Sequence, residues 1–265
     1  MSGQPSTQND LALQLRSLHR PGIPLILTNI WDAISARAIA SLPRTRALAT
    51  ASYAIAAAAG LDDVELDLAT NLHAIKGVAR VAKATNLPLT VDFMDGFGDK
   101  LEEGVKEVIK LGAVGINLED FERETNGLYS VGEAQERVRR VLRVAAEEGV
   151  PDFVVNARTD ALIGGQDIDE AISRGKAYLE AGAANVFIWS GRERGGTSRE
   201  EVEKASKALG GRLNVILLRA VPGGLTVKEL SEIGVARISV GPQLMLKTAK
   251  GVEEEARSIL DGEAV

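Results

Sequence analysis

Leu89–Gly98, LTVDFMDGFG, is the stretch whose reading decides the fold. Leu89, Thr90 and Val91 follow Pro88 and read as a short buried strand. Asp92 closes that strand. Asp95-Gly96-Phe97-Gly98 then turns the chain, because glycine reaches backbone angles other residues avoid. An acid at the exit of a buried strand needs a cation or a hydrogen-bond donor, since an unpaired buried charge is costly. Alone, Asp92 reads equally well as a turn cap. The next two strands end in the same way: GINLE, Gly115–Glu119, closes on Glu119, and FVVNAR, Phe153–Arg158, closes on Arg158. Strand side chains alternate, so Asn117 shares a direction with Glu119, and Asn156 with Arg158. Asp92, Glu119 and Arg158 therefore end three consecutive strands at one rim.

The same rhythm extends in both directions. Strands are expected at 25–29, 47–50, 89–92, 115–119, 153–158, 185–189, 213–217 and 237–240. Helical patterns fall at 11–18, 30–40, 71–85, 101–111, 131–148, 168–181, 198–209, 226–233 and 242–260. Three of these helices open on a capping-box pattern: Ser130 with Glu133, Ser198 with Glu201, and Thr226 with Glu229. The small-residue run Ala51–Gly60 reads as a packed loop or an anion-cradling one, and 120–129 as a loop. Met1–Asp10 is polar and expected to be flexible. Eight short strands alternating with helices call for parallel pairing through crossover helices. The fold class is α/β, a single (β/α)8 TIM barrel over residues 1–265. A doubly wound open sheet competes, but no GxGxxG stands at a strand–helix turn.

Composition narrows the function. The chain has 265 residues, 37 Asp and Glu against 31 Lys and Arg, and a net charge of -6. That balance argues against a nucleic-acid partner and offers no polybasic membrane patch. With no cysteine, disulfides, thiolate metal sites and a cysteine nucleophile are excluded. With only His19 and His73, a multi-histidine metal centre is not expected. No membrane span or signal peptide is legible, so a cytoplasmic location is expected.

Two acids and an arginine at one rim suit a hard divalent cation and an anionic substrate. Mg²⁺ favours carboxylates and retains waters, and arginine clamps carboxylate or phosphate with a planar fork. The structural alternative is that Arg158 merely neutralises Glu119. Asp63 could reach the rim or be a solvated helix-start acid beside Asp62. Ser52 and the amides near Tyr53 could hold an anion or simply cap a turn. Trp189 reads as a pocket wall. Thr125-Asn126-Gly127 reads as a turn in a loop able to close over the rim, and His73 as a surface residue. Gly223-Gly224 and Gly241 suit a phosphate site or plain turns.

Five motifs carry a family resemblance: Asn29–Arg37 (NIWDAISAR), Asp92–Gly98, Gly115–Asp120 (GINLED), Ala157–Leu162 (ARTDAL) and Gly234–Pro242 (GVARISVGP). In that order they resemble the isocitrate lyase/phosphoenolpyruvate mutase superfamily, from about Leu25 to Pro242. The resemblance is to carboxyphosphonoenolpyruvate phosphonomutase-like and oxaloacetate hydrolase-like members rather than to isocitrate lyases. It implies a (β/α)8 barrel, Mg²⁺ (or Mn²⁺ in its place), small anionic 2-oxo or 2-hydroxy acid substrates, and enolate-like chemistry. It also implies homodimers or homotetramers that exchange the last helix. Asp92 falls on the direct metal-ligand position, and Glu119 and Asp63 on acids that hold metal-bound waters. Arg158 falls on the substrate-anion arginine, and Ser52 and Tyr53 on the stretch that holds the substrate carboxylate. Asn126 falls in the gating loop.

Departures are equally informative. The family's second acid after Asp92 is Met94, a poor partner for Mg²⁺ or its waters. Restoring it, Met94→Asp, is expected to tighten Mg²⁺. The lyases' cysteine loop is Phe121–Ser130 here, which argues against isocitrate or methylisocitrate cleavage. Trp189 replaces the mutases' histidine. The leading expectation is an Mg²⁺-dependent enzyme, a lyase or hydrolase, cleaving a C–C bond in a small 2-oxo or 2-hydroxy dicarboxylate. Arg158 would orient the substrate, and Tyr53, Glu119 or a metal-bound water would move protons. One rival is a P–C bond enzyme using Arg158 with Arg123 and Arg192 or Arg194. The other is a barrel that binds a metabolite without catalysis.

Overall fold

The computed structural model describes residues 6–191, 193–218 and 224–262. Elements run α1 Gln8–Leu18, β1 Leu25–Leu27, α2 Ala33–Ala40, β2 Leu48–Ala49, α3 Ser52–Ala58, α4 Leu68–Thr85, β3 Leu89–Asp92, α5 Leu101–Leu111 and β4 Gly115–Glu119. A small hairpin follows, β5 Phe121–Glu122 and β6 Gly127–Leu128. The chain continues α6 Val131–Glu147, β7 Val154–Thr159, α7 Ile168–Glu180, β8 Asn185–Ile188, α8 Arg199–Ala208, β9 Leu213–Ile216, α9 Val227–Ile233, β10 Arg237–Ser239 and α10 Gln243–Leu260.

Eight strands pair in the order β1-β10-β9-β8-β7-β4-β3-β2, every ladder parallel. The two edges, β1 and β2, meet through a parallel bridge between Ile30 and Thr50. The result is the expected (β/α)8 barrel. The helices pack apolar stripes on its outside. On α5 the stripe is Leu101, Val105, Val108 and Ile109, at the spacing that places side chains on one helix face. Gly96 sits at φ +81, and a side chain there would strike Leu101, so the turn after Asp92 requires glycine.

The barrel interior is unusually polar. Inward positions carry Asn117, Asn156, Asn185, Asn214 and Arg237, all buried. Arg237 donates from Nη2 to Asn117 Oδ1 at 2.9 Å. Burial pushes its pKa down to about 9, with the Asp92 charge opposing that, so it stays cationic at neutral pH.

Three expectations need correction. Residues 7–10 are not loose: Thr7 and Asp10 form a capping box that starts α1. The Ala51–Gly60 run is not a loop but mostly helix α3, because alanine is the best helix former and Ile55 and Ala56 are buried. The 120–129 loop contains the β5–β6 hairpin, whose tip, Asn126, takes the left-handed conformation at φ 53. Of the capping boxes, Ser198–Glu201 and Thr226–Glu229 are complete; Ser130 accepts from the Glu133 amide. The last helix is distinctive, since no residue of α10 is buried. Leu246, Val252, Ile259 and Leu260 are all exposed along it.

Candidate active site

Asp92 ends β3 and turns its carboxylate across the barrel mouth. Oδ2 accepts the Ser52 backbone N–H at 2.9 Å, and Oδ1 faces the Asn117 amide Nδ2 at 3.4 Å. The Asp92 amide donates to Thr50 Oγ1 at 2.9 Å. Asn117 cannot turn around, because its own Oδ1 already accepts from Asn156 and Arg237. Its NH₂ is thereby fixed on Asp92.

One cavity of about 250 Å³ opens here, lined on this side by Ser52, Tyr53, Asp63, Asp92, Asn117 and Arg158. Asp63 Oδ1 is buried and has no hydrogen-bond partner. Burial raises the Asp63 pKa, and the Asp92 charge raises it further, while Arg158 and Ser52 pull it down. Two acids held together without enough donors make a setting that favours a cation.

Arg158 stands on β7, in register with Glu119 on β4. Its Nε and Nη2 grip Asp160 at 2.6 and 2.7 Å, and Nη1 meets Glu119 Oε2 at 2.8 Å. Burial works against the Arg158 charge, but Asp160 and Glu119 outweigh it and raise its pKa. Burial raises Glu119 and Asp160 in turn, with Arg158 opposing it. Asp160 is itself anchored: its amide donates to Asp120 Oδ1 at 2.9 Å, and the other Asp120 oxygen holds Arg174 and Tyr178. Arg158 is thus aimed by a buried frame rather than by solvent.

The expected residues distribute unevenly. Asp92, Asp63, Ser52, Tyr53, Arg158 and Trp189 all line the cavity. Glu119 is not among the lining residues; its carboxylate pairs with Arg158. Ser52 contributes its amide to Asp92. Asn126 is exposed at the hairpin tip and does not reach the cavity. Met94 is 5% exposed and packs with Ile55, Ala56 and Leu66, its sulfur 3.8 Å from Arg123 Nη1. It faces away from the cavity. Arg123 spends itself on the carbonyls of Val64 and Leu66, and Arg194 on Glu201. Arg192 and Gly223 lie outside the described residues. His73 is on the surface, as expected.

Sequence reasoning missed Asn29, Asn117 and Asp160. Asn29 Nδ2 donates to Thr50 O, and its Oδ1 accepts the Val240 and Gly241 amides, tying three strand ends together. The alternation that picked Glu119 and Arg158 already pointed Asn117 inward. Asp160 stands two residues past Arg158, a spacing that could have flagged a partner.

A divalent oxygen-preferring ion fits these donors: the buried, unpartnered Asp63 oxygen and the Asp92 carboxylate lie on one cavity wall. Among the described residues no three Asp, Glu, His or Cys side chains converge tightly enough to enclose an ion. Asp92 would hold it directly and Asp63 through water, the open arrangement Mg²⁺ accepts.

The family model for phosphoenolpyruvate phosphomutase matches residues 15–260. The chain belongs to that family. It therefore falls in the isocitrate lyase/phosphoenolpyruvate mutase superfamily. It is 30% identical over 221 residues to 2,3-dimethylmalate lyase of Eubacterium barkeri, covering 81% of this chain and 73% of the lyase. A Burkholderia cenocepacia structure provisionally named a phosphonomutase superposes with a TM-score of 0.84 at 34% identity, over 97% of this chain and 100% of the other. Phosphonopyruvate hydrolase in complex with oxalate and Mg²⁺ gives a TM-score of 0.80 at 26% identity, over 97% and 89%. The family's members are lyases, mutases and hydrolases, so the chain is read as an enzyme.

Proposed function

We propose that this protein is an Mg²⁺-dependent lyase or hydrolase that breaks a C–C bond in a small 2-oxo or 2-hydroxy dicarboxylate. One observation carries the reading: a held carboxylate, Asp92, beside an under-partnered one, Asp63, shares a cavity of about 250 Å³ with a rigidly aimed arginine. The relatives named above act on, or are bound to, small organic acids, which supports the substrate class.

Asp92 would hold the ion, with Asp63 on an ion-bound water and Mn²⁺ an acceptable substitute. The ion, when bound, polarises an oxo or hydroxyl oxygen and stabilises negative charge developing there. Arg158 receives a substrate carboxylate with its remaining N–H groups, while Asp160 and Glu119 fix its plane. Glu119 acts through Arg158, with which it pairs at 2.8 Å. Tyr53 lines the cavity mouth and is our candidate for proton transfer to the leaving fragment. The exposed α10 is proposed to exchange between subunits, giving a homodimer or a homotetramer, and the location is proposed to be cytoplasmic.

A panel of oxaloacetate, malate derivatives and acylpyruvates with Mg²⁺, following pyruvate, oxalate and acetate, tests this. Turnover of none of them counts against it. The likeness to phosphonopyruvate hydrolase favours a second reading, P–C bond cleavage. Phosphorus NMR with phosphonopyruvate tests that, and an unchanged spectrum removes it. Arg123 and Arg194, both committed elsewhere, weigh against it.

A further inference from the structure

Asn117 lines the cavity and stands next to Asp92 in a row of paired residues, Asp92, Asn117, Asn156 and Asn185, that crosses β3, β4, β7 and β8. A carboxamide has an accepting end and a donating end, and its surroundings decide which end faces a ligand. Asn156 Nδ2 donates to Asn117 Oδ1 at 2.8 Å, and Arg237 Nη2 donates to the same oxygen at 2.9 Å. The NH₂ is the end left over. Among the described residues its acceptor is Asp92 Oδ1 at 3.4 Å, a weak contact, so an N–H remains for a ligand oxygen. Two other polar residues lining the cavity are already committed. Asn29 donates to Thr50 O and accepts the Val240 and Gly241 amides, and Ser239 Oγ donates to Asn214 Oδ1 at 3.0 Å.

Arg237 does more than hold Asn117. It is buried, and its Nε and Nη1 have no hydrogen-bond partner among the described residues. A buried guanidinium held in this way is costly to the fold. His19 offers it no counter-charge, since burial, and then Arg237 itself, push the imidazole pKa down to about 3. The carboxylate whose charge acts on Arg237 is Asp92. Arg237 is thus a fixed positive charge one amide away from Asp92. It opposes a bare cation there and favours an anion beside it.

We propose that Asn117 is a substrate-binding donor and that Arg237 is its positioning residue, turning the NH₂ toward the cavity and favouring an ion paired with an anionic ligand over the bare ion. This rests on the reading that Asp92 holds the ion and Arg158 the substrate head.

The test is calorimetric titration of the full-length protein at neutral pH, first with Mg²⁺ alone and then with oxalate at saturating Mg²⁺. Wild type is compared with Arg237→Met, Arg237→Gln and Arg237→Lys. Methionine loses both the charge and the donor, glutamine keeps a donor, and lysine keeps both. Arg237→Met should bind Mg²⁺ alone about tenfold tighter and oxalate about tenfold more weakly, because one lost positive charge acts oppositely on cation and anion. Arg237→Gln should gain as much for Mg²⁺ and lose less for oxalate. Arg237→Lys should stay within about threefold of wild type for both ligands. An arginine serving the fold alone would weaken both ligands together when replaced. A crystal structure of the wild type with Mg²⁺ and oxalate needs no variant to fold, and should place Asn117 Nδ2 within hydrogen-bond distance of an oxalate oxygen. Affinities that move in the same direction or not at all, or oxalate seated out of reach of Asn117, overturn the assignment and leave the head-group reading intact. Failure of oxalate to bind the wild type removes both.

Discussion

Asp92→Ala separates a metal ligand from a turn cap, and the structure supplies the magnitudes. The substitution strips the acceptor from the buried Ser52 N–H, held at 2.9 Å, a loss of about 1–3 kcal/mol. The Asn117 contact, at 3.4 Å, adds little. Against this, the substitution removes the charge that helps raise the Asp63 pKa, which offsets part of that loss. The net is a loss of at most about 1–3 kcal/mol, or a melting temperature lower by no more than about 12 °C. Mg²⁺ affinity should fall far more, by at least about 100-fold, since the direct ligand is gone. Calorimetric titration of Mg²⁺ with oxalate present, run beside thermal melts of the apoprotein, measures both. If Asp92→Ala melts lower while binding Mg²⁺ as tightly as wild type, Asp92 only ties α3 to β3, and the proposed chemistry goes with it.

Three further outcomes are expected. Burial and Asp92 raise the Asp63 pKa above its unfolded value, so apoprotein stability is lost as pH rises from the unfolded pKa through the raised one, and Mg²⁺ affinity should weaken as pH falls back through it. Asp63→Asn should therefore raise the apoprotein melting temperature at neutral pH and remove that part of the pH dependence of Mg²⁺ binding, measured by calorimetric titration across pH; an unchanged pH profile would contradict the assignment. Met94→Asp should cost about 2–4 kcal/mol by emptying a packed site beside Ile55 and Leu66, with Mg²⁺ affinity held within about threefold because Arg123 takes up the new carboxylate. An affinity gain of tenfold or more, as expected from the sequence, would mean the side chain turns to the cavity instead. Truncation after Gly241 should yield insoluble or unstable protein if α10 belongs to a partner barrel; a well-folded monomer by light scattering would refute the exchange.

Much of this was legible because the barrel repeats one simple rule. A parallel strand buried on both sides reads as an uncharged run, and its exit reads as the first charged residue. That is why β3 and β4 match their expected limits residue for residue and why Asp92 and Arg158 were found. What resisted reading was geometry between strands. Glu119 and Arg158 share a rim in sequence logic, but only the register shows them side by side, so that Glu119 is taken up by Arg158. Met94 looked like a damaged ligand position, yet a left-handed backbone at φ 51 turns it into an apolar cluster. The polar interior was hidden for another reason. A strand containing Asn185 or Asn214 does not announce that its partners across the barrel are also amides.

The Asn29 tie has a dynamic consequence. β1 and β2 share only the Ile30–Thr50 bridge, so the wall of the barrel is thinnest there, and one side-chain amide spans it to reach the end of β10. Asn29 also lines the candidate cavity. Breathing of the seam and dismantling of the site are therefore one event, and a ligand in the cavity acts as a zip on the barrel. Amide hydrogen exchange at Val240 and Gly241, whose N–H groups rest on Asn29, would slow on ligand binding in step with affinity, making those two amides an occupancy gauge that needs no turnover.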